Sequence, residues 1–421
     1  MSVIQELHAI EILDSRGRPT IKAYCTLAGG ASASASVPSG ASTGLAEALE
    51  LRDGDPTRYR GLGCRTAVSH INGEIRQKIS GRELDTQAAL DRMLIALDGT
   101  ENKSRLGANA LLAVSLAFAR ATSLEKKIPP YQRFAEILGT VPGTLPRPTI
   151  NLFSGGKHAG GQVAIQDVLL VPVSARSMNE ALAMTFAVYQ CAAELIAREY
   201  DMRVLRADEG GLAPPAPNSS ILLDHAATAI EAAGLKLGRD MCLAVDVASS
   251  HFFNNGVYDL DGKQLTSIAM IEVLCGWLRD YPIISLEDGL AESDWEHWPR
   301  LRTAAAGRAL ILGDDLLCTN PKRIQRAINS KAANALLLKV NQIGTLTEAA
   351  EACLLARSDN WHVTVSARSG ETEDDWLADL AVGWSGNHIK VGSITQSERL
   401  AKYNRLLEIE ADTGWPLVGH K

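Results

Sequence analysis

The rhythm of hydrophobic and polar positions changes twice along this chain. In "EILDSRGRPTIKAYCTLAGGASASASVPSG", beginning at Glu11, two alternating, β-rich runs are split by "DSRGRP", a turn by composition. From about 45 to 126 the pattern becomes helical, through "GLAEALELRD", "TAVSHINGEIRQKI", "TQAALDRMLIAL" and the apolar window 106–121. Strands followed by a block of helices predict a compact α+β domain over 1–126. "EKKIPPYQRFAEILGTVPGTLPRP", rich in Pro and Gly, predicts a linker, placed at 127–146.

Beyond 147, short apolar runs alternate with amphipathic stretches. The runs are "CLAVDVA", "PIISLED", "ALILGDD", "ALLLKVN", "HVTVSAR" and "HIKVGS", interleaved with segments such as "SIAMIEVLCGWLRDY" and "TLTEAAEACLLAR". Near-continuous apolar strands separated by helices predict parallel strands covered by helices. Six such units after 240, with strand-like material before them, predict an α/β fold, a (β/α)8-like barrel over 147–421. Each run ends in one chemically loaded side chain: Asp246, Glu287, Asp314, Lys339, Arg368 and Lys390. Barrel strands converge with their C-terminal ends on one face, the face that carries the chemistry. A single acid there reads as a helix cap or a solvated loop end; three acids and two lysines at five of six consecutive ends read as a site.

Length and composition narrow the class. A chain of 421 residues exceeds one ordinary core and suggests two domains. A hydrophobic fraction of 46% with 22% charged residues is that of a soluble globular protein. The net charge of −7 and the lack of a basic block argue against a nucleic-acid or anionic-membrane footprint, yet leave room for a local pocket for phosphate-bearing molecules. Seven scattered cysteines without a CxxC pair predict free thiols in a reducing cytoplasm. "MSVIQELHAIEIL" shows no secretory signal. The most membrane-like window, 106–121, holds Asn109 and Arg120 and falls short of the ~20 residues a span needs, so a buried core helix is expected.

Asp246, Glu287 and Asp314 compose a hard, all-oxygen donor set suited to Mg²⁺. Converging carboxylates repel and raise one another's pKa values, and a divalent cation removes that cost. Lys339, beside that metal and partly desolvated, is expected to fall toward neutrality and act as a base on a proton α to a metal-bound carboxylate. "RADEGGLAP" presents Asp208 and Glu209 on a tight loop as a second acid or base. "SGGKHAGGQVAIQD" lacks the GK[ST] ending of a phosphate-binding P-loop and better fits a closing lid that carries His158. "VPSGASTG", 37–44, is a second small-residue loop whose hydroxyls could reach a metal or phosphate.

These residues carry a resemblance. "LDSRGRPT", "VPSGASTG", "NKSRLGANALLAVSLA", "GGKHAGG", "DEGGLAP", "LEDGLAESDWEHW", "GDDLLCTNPKRI", "LLLKVNQIGTLTEA", "SARSGETEDDWLADLAVG" and "QSERLAKYNRLLEIE" are similar to enolase motifs nearly end to end. The resemblance implies an N-terminal α+β domain capping the barrel, usually in a homodimer. It implies Asp246, Glu287 and Asp314 as principal magnesium ligands, with Ser42 completing a second magnesium site. It makes Lys339 the base at C2 and Glu209 the acid that assists departure of the C3 hydroxyl. Arg368 and Ser369 match the phosphate grip, His158 the lid histidine, and Lys390 the lysine that binds the substrate carboxylate.

The pattern breaks at five places. Enolases have "SHRSGETED" where this chain has Ala367 for the histidine; Asp167 stands for a glutamate that works with Glu209; His251 replaces a glutamate; Gln396 and Ile10 each replace an arginine. His362 cannot substitute, because five residues at ~3.3 Å each put it ~16 Å away and on the other face of the strand. The losses fall on the leaving-hydroxyl and phosphate side, while the metal ligands and Lys339 are intact. That asymmetry predicts a specialised paralogue, acting on a small phosphorylated or phosphonate carboxylic acid, with Ala367 enlarging the pocket beside Arg368. A housekeeping enolase and a non-catalytic enolase-fold binding protein are the competing expectations.

Overall fold

The hairpin that opens the chain is closed by one side chain. Asp14 Oδ1 accepts the backbone N–H groups of Arg16 (2.8 Å) and Arg18 (2.9 Å) between β1 (Ser2–Leu13) and β2 (Pro19–Leu27). This geometry is taken from a computed structural model, which describes residues 2–41 and 43–419. The strand β3 (Ser32–Ser36) pairs antiparallel with β2, and the short β4 (Glu83–Leu84) with β1. The helix Ala108–Lys126 lies on this sheet with nearly every residue through Ser123 buried, so the window 106–121 is the core helix expected of it.

Segment 45–58 is not helical, against the apparent periodicity of "GLAEALELRD". Its backbone donors are committed elsewhere: Ala48 N–H to Gln342, Leu49 N–H to Asn102 and Asp53 N–H to Gly63 carbonyls. Tertiary hydrogen bonds outbid helix propensity here, and the segment becomes a strap reaching from the first domain onto the barrel. The stretch 127–146, expected as a linker, contains the helix Pro130–Leu138, which starts on Pro130 and stops at Gly139 with φ +76°. Its Pro and Gly are the start and stop signals of a short helix, not linker composition. It packs against the helix Trp376–Gly383, and Tyr131 N–H donates to Asp379 at 3.2 Å.

The second domain is a closed eight-stranded barrel. Its strands in chain order are β5 (Arg147–Ser154), β6 (Asp167–Val171) and β7 (Cys242–Asp246). A small antiparallel sheet follows, β8 (Phe253–Asn254), β9 (Val257–Leu260) and β10 (Lys263–Leu265). The barrel then resumes with β11 (Ile283–Glu287), β12 (Leu310–Gly313), β13 (Ala335–Leu338), β14 (His362–Ser366) and β15 (His388–Gly392). The order around it is β11-β12-β13-β14-β15-β5-β6-β7. All neighbours are parallel except β6, which runs antiparallel to both β5 and β7. The expectation of a uniformly parallel barrel fails at that strand, because β5 and β6 are joined by a loop at one end and not by a helical crossover.

The outer helices bury one face. Met178–Glu199 is long and apolar enough in composition to cross a membrane. Its buried residues Ala181, Thr185, Val188, Ala192 and Ile196 recur at helical spacing, and it packs against β5 and neighbouring helices.

Candidate active site

Strand register brings the loaded side chains level. Asp246 at the end of β7 pairs with Glu287 on one side and with Asp167 on the other, and Ser366 pairs with Lys390. Asp314, Lys339 and Arg368 follow directly on β12, β13 and Ser366–Ala367. The six strand-end residues therefore meet at the mouth, and all are buried or nearly so.

Lys390 Nζ lies between two acids, 2.8 Å from Asp246 and 2.7 Å from Glu287. Burial and the adjacent Asp246 charge push Glu287 well above the usual carboxylate range, and Lys390 offsets this only in part. Burial also raises Asp246, but Lys390 overrides it and holds the group below its ordinary value. Glu287 Oε1 is buried with no hydrogen-bond partner. A buried orphan oxygen beside two crowded acids fits a hard cation, so Asp246, Glu287 and Asp314 would hold it together with substrate and solvent oxygens.

Asp314 is oriented by a frame that sequence reading misses. Asp288 accepts the N–H groups of Asp314 (3.0 Å) and Asp315 (2.7 Å), and Gln342 Nε2 donates to Asp314 Oδ1 at 2.8 Å. Ligand atoms of Asp288, Asp314 and Asp315 lie within 4.8 Å of one another, a tighter acidic group than the three strand-end acids themselves form. Its signal was the doubled acid in "LED" and "GDD". Burial and Asp314 raise Asp315 to about 7.

Lys339 Nζ stands 2.5 Å from Asp314 Oδ2. Burial draws its pKa down, but the Asp314 charge outweighs burial and leaves it above the ordinary lysine value. The expected fall toward neutrality is thus reversed by the ion pair as the charges stand here.

On the far side, His158 bridges two acids. Its Nδ1 is 3.0 Å from Asp167 Oδ2 and its Nε2 is 3.7 Å from Glu209 Oε1. Burial lowers the imidazole, yet Glu209 and Asp167 raise it to about 9, so it is protonated at neutral pH. Asp167 takes a 2.5 Å bond from Ser154 Oγ, and Glu209 one of 3.1 Å from Asn151 Nδ2. Asp208, its neighbour, is exposed. Gly210 (φ +85°) makes that turn, and a Cβ on Gly211 would sit 2.4 Å from Ser154 Oγ, which is why the loop reads Glu-Gly-Gly.

Arg368 is held by Glu47 of the strap, at 2.9 Å, and its pKa is raised because that charge outweighs burial. Ser369 Oγ accepts from Arg16 Nη1 at 3.1 Å. Gly370 exchanges backbone bonds with Ser39, and a Cβ there would meet Asp14 Oδ2 at 2.2 Å, so only glycine lets the first domain approach. Between these groups lies a narrow cleft, with room for about 20 Å³, lined by Ala41, His158, Gln166, Glu209, Ala367 and Arg368, with Lys339 and Lys390. Ala367 supplies only a methyl to that wall. Gln166, also absent from the sequence reading, donates to Asp246 at 3.0 Å. His362 lines a different cavity, with Arg308 and Asn334, away from the site. Ser42 lies outside the described residues.

An acidic, lysine-bearing mouth and a separate histidine–carboxylate group on a capped barrel suit proton removal next to a carboxylate. Known domain families match the same two halves of the chain. The enolase N-terminal domain matches residues 4–134 and the enolase C-terminal TIM barrel domain residues 142–417. The chain belongs to the enolase family, an enzyme family whose members are generally metal-dependent.

Proposed function

We propose that the protein is a Mg²⁺-dependent enolase-family enzyme that forms an enolpyruvyl product from a 2-phosphoglycerate-like substrate. Lys339, neutral once Asp314 is given over to a cation, would take the proton at C2, the C–H electron pair becomes the C2–C3 double bond, and the C3 hydroxyl leaves with a proton that Glu209 relays from the protonated His158. His158 and Asp167 hold Glu209 in register. Arg368 and Ser369 grip the phosphorus group, and Lys390 faces the carboxylate. Asp246, Glu287 and Asp314, with Ser42 completing a second site, would hold magnesium. Bound there, the cation supplies positive charge against which the developing carboxylate dianion is stabilised.

Within that class we favour a carboxyphosphonoenolpyruvate synthase of phosphinothricin-type phosphonate biosynthesis, which joins the phosphorus of an activated phosphonoformate to the enol oxygen of an enolpyruvyl unit, the activating group leaving that phosphorus and the substrate's own phosphate passing to water. The observation that carries this reading is the methyl of Ala367 beside Arg368, in a site whose metal acids and lysines are otherwise complete. The space suits a phosphorus group bulkier than phosphate. Ordinary enolase is the second reading, favoured by the intact His158–Asp167 contact at 3.0 Å. A cytoplasmic homodimer is in keeping with the exposed Ile10 (44%) and Leu13 (52%) on β1.

The test of the base is Mg²⁺-dependent solvent exchange of the C2 proton of 2-phosphoglycerate. Exchange in the wild type and its loss in Lys339→Ala, by roughly 100-fold or more, are expected. Equal exchange in the variant removes Lys339 from its role. Supplying an activated phosphonoformate with 2-phosphoglycerate and following phosphorus NMR separates the two readings: a new enol ester of the phosphonate, its carbon–phosphorus bond intact, supports the synthase, and phosphoenolpyruvate alone at a normal enolase rate supports the dehydratase.

A further inference from the structure

A second groove opens beside the lid. It offers about 810 Å³, open to solvent, between residues 156–164 and the loop and small sheet that follow β7, from His251 to Gly262. Its floor adjoins the mouth, since His251 comes five residues after Asp246 and feels the charges of Asp246, His158 and Asp314.

Three polar groups of this groove are uncommitted: the Lys157 ammonium, His251 Nδ1 and Gln162 Oε1. Lys157, exposed on the lid next to His158, makes no ion pair, although the chain is acidic overall and carries a net charge of −7. His251 Nδ1 and Gln162 Oε1 are both buried without a hydrogen-bond partner. Gln162 is fixed by its amide, which donates to Ser154 carbonyl at 3.2 Å, so its free oxygen is held in place. The groove's own acids do not neutralise the lysine. Asp261 is spent on Ala164 N–H (3.0 Å) and on Ser219 N–H (2.8 Å) and hydroxyl (3.0 Å), and Asp259 is exposed. Burial and Lys157 hold His251 neutral, with a pKa of about 4, so it can present either a donor or an acceptor. Both residues line the groove, and an orphaned polar atom buried in such a wall gains a partner when a ligand seats there and the side chain turns toward it.

We propose that this groove is the binding site of a second, anionic substrate, whose phosphorus oxyanion is held by Lys157 and His251 at the edge of the catalytic mouth. The assignment rests on the two-substrate reading above and deepens it: the first substrate takes the cleft under Arg368, and the phosphorus donor enters from the side of segment 156–164. The larger groove leaves room for a donor carrying a bulky activating group. Lys157 and His158 are adjacent on one segment, so both partners are collected by it.

The experiment uses full-length protein with Mg²⁺ and saturating 2-phosphoglycerate, and phosphonoformate and pyrophosphate as calorimetric probes. Phosphonoformate should bind without displacing 2-phosphoglycerate. Lys157→Ala and His251→Glu should each weaken it roughly ten- to a hundred-fold, the loss of a charge-assisted hydrogen bond, while Lys157→Arg retains it. C2 proton exchange, measured on the same variants, should stay within about twofold of wild type, showing that lid and fold are intact. Competition between phosphonoformate and 2-phosphoglycerate, with no response to Lys157→Ala, overturns the groove assignment. Lys157-dependent binding of pyrophosphate but not of phosphonoformate upholds the groove and instead refutes the phosphonate reading of the reaction.

Discussion

Glu47 and Arg368 form a buried ion pair, 2.9 Å apart, between a strap of the first domain and the end of a barrel strand in the second. The cap thus supplies the counter-ion of the residue proposed to grip the substrate's phosphorus group. Removing Glu47 takes a carboxylate counter-ion from a buried guanidinium that keeps Asn341 Oδ1 at 3.3 Å, and breaking such a pair costs up to about 3–5 kcal/mol. Glu47→Ala should therefore lower the melting temperature, and a phosphate-bearing ligand should restore more stability to the variant than to wild type. Equal ligand-induced shifts in calorimetric melting of both proteins would dissociate Arg368 from the phosphorus group.

Glu287 already holds a proton more tightly than a free carboxyl does, because burial and Asp246 disfavour its charge. Its amide analogue should be tolerated. Glu287→Gln is expected to melt within about 2 °C of wild type without divalent cation. Wild type should gain about 2.7 kcal/mol at Mg²⁺ a hundredfold above its dissociation constant, and lose it on adding EDTA. The variant should show neither response in thermal melts; a full Mg²⁺ shift in Glu287→Gln would remove Glu287 from the metal site.

Ala367 and Asp167 lie on the wall of one cavity and on the histidine that lines it. Restoring His and Glu together should raise dehydration of 2-phosphoglycerate. Asp167→Glu alone must displace the 2.5 Å bond from Ser154, and a misplacement of that size can hold back rate by ~100-fold. The double variant should exceed the sum of the singles in log kcat/KM. Strict additivity would mean that the two positions act on separate steps.

Asp91 is fully buried and bonded to Gln87 (3.1 Å) and to Thr347 N–H (2.9 Å) and hydroxyl (2.6 Å), tying the helix Gln87–Asp98 to the helix Leu346–Ser358. Burial raises its pKa to about 6 despite these bonds. The folded state therefore binds the proton more tightly than the unfolded chain, and stability falls as pH rises from about 4 to about 6. The full effect approaches ~3 kcal/mol. Asp91→Asn should flatten this part of a urea-denaturation pH profile, and an unchanged slope would place the titration elsewhere.

The barrel and its mouth were legible because strand ends declare themselves: a buried apolar run stops, and a charge follows. Lys339, Asp314 and Glu287 were found that way. The strap at 45–58 was illegible, since its apolar spacing mimics a helix while its hydrogen bonds go to Gln342 and Asn102, distant in sequence. Glu47 was hidden for the same reason. Gln166 and Asp288 sit next to residues singled out from the sequence, yet their task, orienting a neighbour's carboxylate, depends on angles that no spacing encodes. The Lys339–Asp314 ion pair at 2.5 Å was likewise unseen, because no spacing gives the distance between two strand ends.

The reversed strand β6 has its own outcome. Residues 155–166 become the loop of an antiparallel pair, shut at the base where Ser154 faces Asp167 in register and donates its hydroxyl to it. A loop closed at its root can be lengthened, shortened or rewritten without unzipping a ladder bond of the barrel. Durability and selectivity are thereby written in separate stretches of chain, and a new substrate preference can be acquired at the lid while the scaffold below it is left untouched.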